Sequence, residues 1–394
     1  MLSFLTKAPQ PRRTLLFGSA MHIWSDLYFA LMVPLLPLIQ EDLDLSLIEV
    51  GLLRSVFSGA TAVLQIPVGL LAESAGEFWL LIWGNVWVSV GLVGMAFSAG
   101  FVMLLVVSFF AGLGGGAQHP LASSMVSRAY DDRGRSTAVG TVNFAGDIGK
   151  MIAPLLAAGI AVQFGWRTTL WVVGLAGIVF MAFSAATRRR LDIGKPVQQR
   201  EAVDSDGDDE GTRVSAFVTL SWIGFLDSAT RGSALVFLPF VMTAKDMGTV
   251  KISLMLFLLF VGGAAGKFVV GWLGDRYSFI SLVWATKGLT AVTLALSLVV
   301  PPLALAPLML ALGAGLNGTS SILYATVADF VPARRRARLY GIYYTTNEGG
   351  TILAPPLYGL IGELLSLNVA MLVMAVATAA ILPVSLTLRR HLAG

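Results

Sequence analysis

Asp26, Asp147, Asp227 and Glu348 each interrupt a long apolar stretch of the chain. Removal from water favours a neutral carboxyl group and a nearby cation favours the charged one. A carboxyl whose surroundings alternate can therefore load and release a proton. His22 lies four residues before Asp26, which places both on one helical face. Asp227 and Arg231 repeat that spacing, and Asp147 and Lys150 are three apart. For each of these pairs the sequence allows a fixed structural partnership as well as proton exchange. Asn143 extends the face of Asp147 by one turn. Tyr340, Tyr344, Glu348 and Thr351 line one stripe, with Tyr343 and Asn347 beside it. Arg54, Ser58, Thr61 and Gln65 form a polar face, while Lys267 stands alone in its stretch. Arg54, Arg231 and Lys267 together would suit a carboxylate, phosphate or phosphonate. Arg54 could instead reach a membrane interface along its own stem. Lys287 shows no evident polar neighbours and receives no role.

These residues need elements that tolerate oil. Of the 394 residues, 56% are hydrophobic and 13% charged, whereas soluble domains carry about 25% charged residues. Mean hydropathy is +0.78. Stretches of about 20 apolar residues match a bilayer core about 30 Å thick. Twelve are predicted, near 14–37, 49–73, 78–98, 101–126, 137–162, 166–187, 215–242, 251–274, 280–300, 303–327, 337–361 and 366–388. The expected fold class is thus an all-α membrane protein. Residues 188–214 are polar, running from Arg188 to the acidic stretch at 204–210, and read as a flexible linker. The expected organisation is a six-helix bundle over 1–187, the linker over 188–214 and a second bundle over 215–394.

The halves repeat. An offset of 201 positions pairs Asp26 with Asp227, Asp147 with Glu348, Gly149 with Gly350 and Pro154 with Pro355. Basic residues orient the chain. Lys7, Arg12, Arg13, Arg128, Arg133, Arg135, Arg188–Arg190 and Arg334–Arg336 fall on one side, against Arg167, Lys245 and Lys251 on the other. Both termini are therefore expected in the cytoplasm. Six spans per half give parallel repeats, with a substrate expected near the midplane.

Gly271-Trp272-Leu273-Gly274-Asp275-Arg276-Tyr277-Ser278 resembles the loop motif of the major facilitator superfamily of secondary transporters. The stretch from Gly69 to Glu77 is a weakened copy, with Glu73 in place of the usual Asp. The resemblance implies two pseudo-symmetric six-helix bundles, with Glu73, Asp275, Arg276, Arg133 and Arg334 in gating. Gly149 to Ala158 resembles the glycine/proline motif of the family's antiporters, and small residues also serve close helix packing. Pro154 permits a bend. The run Gly112 to Pro120 followed by Asp147 is most similar to the fosmidomycin-resistance type of bacterial efflux proteins. Gln118 and His119 in that run join the candidate substrate-binding residues.

Several classes are excluded or disfavoured. Cysteine is absent, so disulfides and thiolate metal sites do not arise. No P-loop, nucleophile elbow or His-Glu-x-x-His occurs, and Gly114–Gly116 lie inside a predicted membrane helix. No enzyme activity, cofactor, metal or nucleic acid is expected. The expected function is proton-coupled antiport by alternating access, exporting a small anionic or amphipathic molecule across the bacterial cytoplasmic membrane, by a monomer. Proton coupling falls to Asp26, Asp227, Asp147, Glu348 and His22. Substrate binding falls to Arg54, Arg231, Lys267, Lys150, His119, Gln118, Asn143, Tyr344 and Asn347. Uptake of an organic anion by symport is the alternative; a receptor or metal transporter fits less well.

Overall fold

Long apolar segments satisfy their backbone groups internally, and in lipid that leaves the helix as the open choice. The computed structural model describes residues 10–130, 132–188, 214–331 and 336–392. The first six helices are α1 (Gln10–Leu43), α2 (Leu47–Ala75), α3 (Glu77–Ala96), α4 (Phe101–Ala129), α5 (Asp132–Leu156) and α6 (Val162–Ala186). Helix α4 passes through a 3-10 turn at Gly114–Ala117. Helix α5 runs on through a π turn at Ala157–Ala161, and the chain folds back at Gly165, whose φ of 79° favours glycine. The second six are α7 (Val214–Thr243), α8 (Thr249–Leu273), α9 (Phe279–Val299), α10 (Leu305–Phe330), α11 (Arg336–Leu364) and α12 (Leu367–Leu386). The predicted linker lies outside the described residues except for its ends, Arg188 and Val214.

Among the described residues, nine stretches are long and apolar enough to cross a membrane, and one of them, Thr137–Ala186, holds both the fifth and the sixth predicted spans. The two remaining spans are α7 and α11, the helices that carry Asp227 with Arg231 and the tyrosines with Glu348. Large apolar side chains such as Ile66, Phe268 and Val299 stand exposed, as expected of surface in contact with lipid.

The chain divides into two compact units. One comprises Met1–Asp44 with Val56–Arg200; the other comprises Leu45–Ser55 with Glu201–Gly394. In the first, Phe17, Met21, Phe78, Leu81, Leu121 and Val142 share an apolar core drawn from α1, α3, α4 and α5. In the second, Phe217, Leu220, Val283, Leu323, Phe330 and Ile381 do the same. The early turns of α2 belong to the second unit, where the Leu47 N–H donates to Glu363 at 3.1 Å.

Glycine sets the closest helix approaches. On α8, a Cβ at Gly262 would strike the backbone of Leu310, and one at Gly266 that of Ala314, 2.6 Å away. Overpacking a close crossing costs ~1–3 kcal/mol. Gly266→Leu should therefore lower the thermal unfolding midpoint of the detergent-purified protein by several degrees. Gly271→Leu, on the same helix but facing open space, should leave it within error.

Candidate functional site

In the first unit, α5 lies against α1 because glycines remove what would separate them. A Cβ at Gly149 would overlap the carbonyl of Ile23, and one at Gly146 would overlap the Asp26 carboxylate and the His22 ring. This closeness brings Lys150, already beside Asp147 on its own helix, to Asp26 as well. Its ammonium is 2.9 Å from Asp26 Oδ2 and 3.1 Å from Asp147 Oδ1, while His22 Nε2 is 3.7 Å from Asp26 Oδ2. The Asp26 and Asp147 side chains are 3% and 9% exposed and that of Lys150 is 30% exposed. Two carboxylates thus share one ammonium. Pro154 lacks the N–H that would bond the Lys150 carbonyl one turn back.

The second unit is built on a different pairing. Asp227 Oδ1 accepts from Lys287 of α9, which is fully buried and also donates to the Gly315 carbonyl at 3.3 Å. Arg231 approaches the other carboxylate oxygen at 3.7 Å and donates to Ser228 at 3.1 Å. One carboxylate therefore serves two cations. Arg54 is buried and feels the charge of Glu348, so it does not reach outward to an interface. Lys287, without a role in the sequence reading, is the buried counter-ion of Asp227. A lone lysine between Thr286 and Thr290 in an apolar helix must find an acid, and that is the signal the sequence carried.

The two first-helix acids are not equivalent in space. Gly149 of α5 faces Ile23 and Leu27, whereas Gly350 of α11 faces Phe225 and Ala229. Gly114 faces Gly84 and Val88, whereas Gly315 faces Thr286 and Thr290. The left-handed turns after the first helix of each unit fall at Asp44 and Asp246. So α4 and α5 repeat at an offset of 201, but α1 to α3 repeat at 202. The expected match of Asp26 with Asp227 is corrected: Asp26 corresponds to Ser228, and Asp227 to Ser25. Neighbouring helical residues point about 100° apart. Asp26 accordingly addresses α5, and Asp227 addresses α9. Lys287 corresponds to Asn85, which donates to Gln118 at 3.0 Å in place of an ion pair. His22 against Gly146 corresponds to Gly224 against Asn347, bulk and space exchanged.

The other expected residues are scattered. Gln118 is fully buried, its amide also donating to the Leu81 carbonyl at 3.0 Å, so it braces α4 on α3. Asn143 is exposed and Lys267 half-buried. Tyr344 is 47% exposed, Asn347 is buried, and Tyr344 stacks on Tyr324 of α10. Asp275 is exposed, and Arg276 lies over the ring of Trp272 at 3.7 Å. Arg334 lies outside the described residues, as do the side chains of Glu73, Arg133 and His119. In the weakened motif the described carboxylate is Glu77, which is buried and accepts from Arg128 of α4.

The family model of the major facilitator superfamily matches residues 16–217 and 220–393. The chain belongs to the major facilitator superfamily. It has the family's multi-pass, twelve-helix membrane fold. The fosmidomycin resistance protein of Escherichia coli K12 is 24% identical over 280 residues, covering 68% of this chain. That match spans 66% of the relative, just under two thirds of its length. The gentisate transporter of Corynebacterium glutamicum is 25% identical over 349 residues, 82% of this chain and 74% of the relative. The crystal structure of a bacterial homologue of the human lysosomal transporter Spinster superposes with a TM-score of 0.82 at 16% identity. It covers 98% of both chains and bears on the fold alone.

A buried ion that loses its partner costs about 3–5 kcal/mol. Asp227→Asn should therefore strongly destabilise the purified protein in detergent, because it strands the fully buried Lys287. The double variant Lys287→Met with Asp227→Asn should recover most of the lost thermal stability, because the fully buried ammonium is removed together with its partner, while the Arg231 side chain keeps 25% exposure.

Proposed function

We propose that this protein couples the movement of protons to the export of a small anionic or amphipathic molecule across the bacterial cytoplasmic membrane, with both termini on the cytoplasmic side. The observation that carries the reading is the group of Asp26, Lys150 and Asp147, two acids brought to one ammonium at a largely buried site. A charge held away from water in a membrane protein is costly and marks an ion path. Protonation neutralises the group, and its loss restores the pull of both acids on Lys150. His22, at 3.7 Å from Asp26, is the first relay for that proton.

The second unit supplies the complementary charge. Arg54, Arg231 and Lys287 outnumber Asp227 and Glu348, leaving a positive excess suited to an anion. In this reading Asp227 and Glu348 act as counter-ions, while the proton is carried by the first unit. Lys267 adds to the attraction from α8. The similarity to a fosmidomycin resistance protein and to a gentisate transporter, whose names denote anionic compounds, supports the same substrate class.

The sign of transport separates export from its rival. In proteoliposomes with an imposed pH gradient, an antiporter drives substrate toward the acidic side, and a symporter drives it away. Fosmidomycin and 4-hydroxybenzoate are suitable probes. Asp26→Asn should reduce pH-driven flux to background while the protein remains monodisperse, with a thermal midpoint close to that of the wild type. Normal pH-driven flux in Asp26→Asn would remove the proton role from this group.

A further inference from the structure

The second unit contains an aromatic group that the charge argument does not use. Tyr324 of α10 and Tyr344 of α11 stack with centroids 4.9 Å apart and planes inclined by 25°. Tyr343 meets Tyr324 edge-on at 5.6 Å, and Tyr340 lies 6.4 Å from Tyr344. Tyr340 donates to the Tyr324 carbonyl at 2.9 Å, fixing α11 on α10. Tyr343 is fully buried, but Tyr344 is 47% exposed. Glu348 follows Tyr344 by one helical turn on the same face, and a carboxylate does not face hydrocarbon chains. The open side of Tyr344 therefore faces the polar interior and not the lipid.

Arg231 stands at this group. Its charge is felt by Tyr324, Tyr343 and Glu348, and its side chain is 25% exposed. Lys287 takes Asp227 Oδ1 closely from a fully buried position, while Arg231 holds the other oxygen only at 3.7 Å. Lys287 thus holds Asp227 the more closely, and the partly exposed guanidinium is the more accessible cation for an incoming carboxylate. Guanidinium pairs with carboxylate in a planar fork, and an aromatic ring lies well on another when offset or inclined.

We propose that the second unit binds a planar aromatic carboxylate, its carboxylate on Arg231 and its ring on the platform of Tyr324 and Tyr344. This rests on the anion-transport reading above and narrows its substrate class.

Isothermal titration of the purified full-length protein in detergent tests it, with 4-hydroxybenzoate against 4-hydroxycyclohexanecarboxylate, equal in charge but without an aromatic face. The aromatic acid should bind at least about tenfold tighter, the effect of one or two stacked ring pairs. Tyr344→Leu should erase that preference by weakening the aromatic acid alone, and Tyr344→Phe should retain it. Equal affinity in the wild type, or a preference that survives Tyr344→Leu, overturns the platform. The anion reading still stands if Arg231→Gln weakens both acids. Binding of neither probe overturns the proposal. The underlying reading falls with it only if a pH gradient also moves none of a panel of small organic anions.

Discussion

A charge inside a membrane protein must be neutralised where it stands, because the surroundings cannot solvate it. Both units of this chain are organised around that constraint. In the first, Lys150 lies between Asp26 and Asp147, and glycines at 146 and 149 exist to let it reach them. In the second, Asp227 is met by Lys287 from one side and by Arg231 from the other. The close crossing of α1 by α5, with Gly146 and Gly149 at it, serves the first of these pairings.

The two units solve the problem with different partners. The first sets two acids on one ammonium, and the second sets one acid between two cations. A scaffold duplicated in its backbone has thus come to hold two different charge groups. The exchange of bulk between His22 with Gly146 and Gly224 with Asn347 shows how the same interhelical space accommodates either arrangement.

The helical architecture was legible in the sequence because apolar length acts along the chain. The loop motif from Gly271 and the repeated glycines pointed to the right family. The partnership of Asp26, Asp147 and Lys150 was legible only in part. The step from Asp147 to Lys150 is local, but the contact with Asp26 crosses between helices. Lys287 was missed for the same reason: its partner is 60 residues away on α7. The gapless offset misled because one residue separates the register of α1 to α3 from that of α4 and α5. Counting along a sequence cannot see a shift that amounts to 100° around a helix.

Pro154 stands one helical turn beyond Lys150 and removes the donor that the Lys150 carbonyl would otherwise accept from. The π turn at Ala157–Ala161 follows at once. Bending α5 at this point therefore breaks no backbone hydrogen bond at the residue that carries the ammonium. The joint of the helix and the charge it holds are the same few residues. A change in electrostatic balance at Lys150 is thus felt at the turn of α5 whose carbonyl already lacks its helical donor.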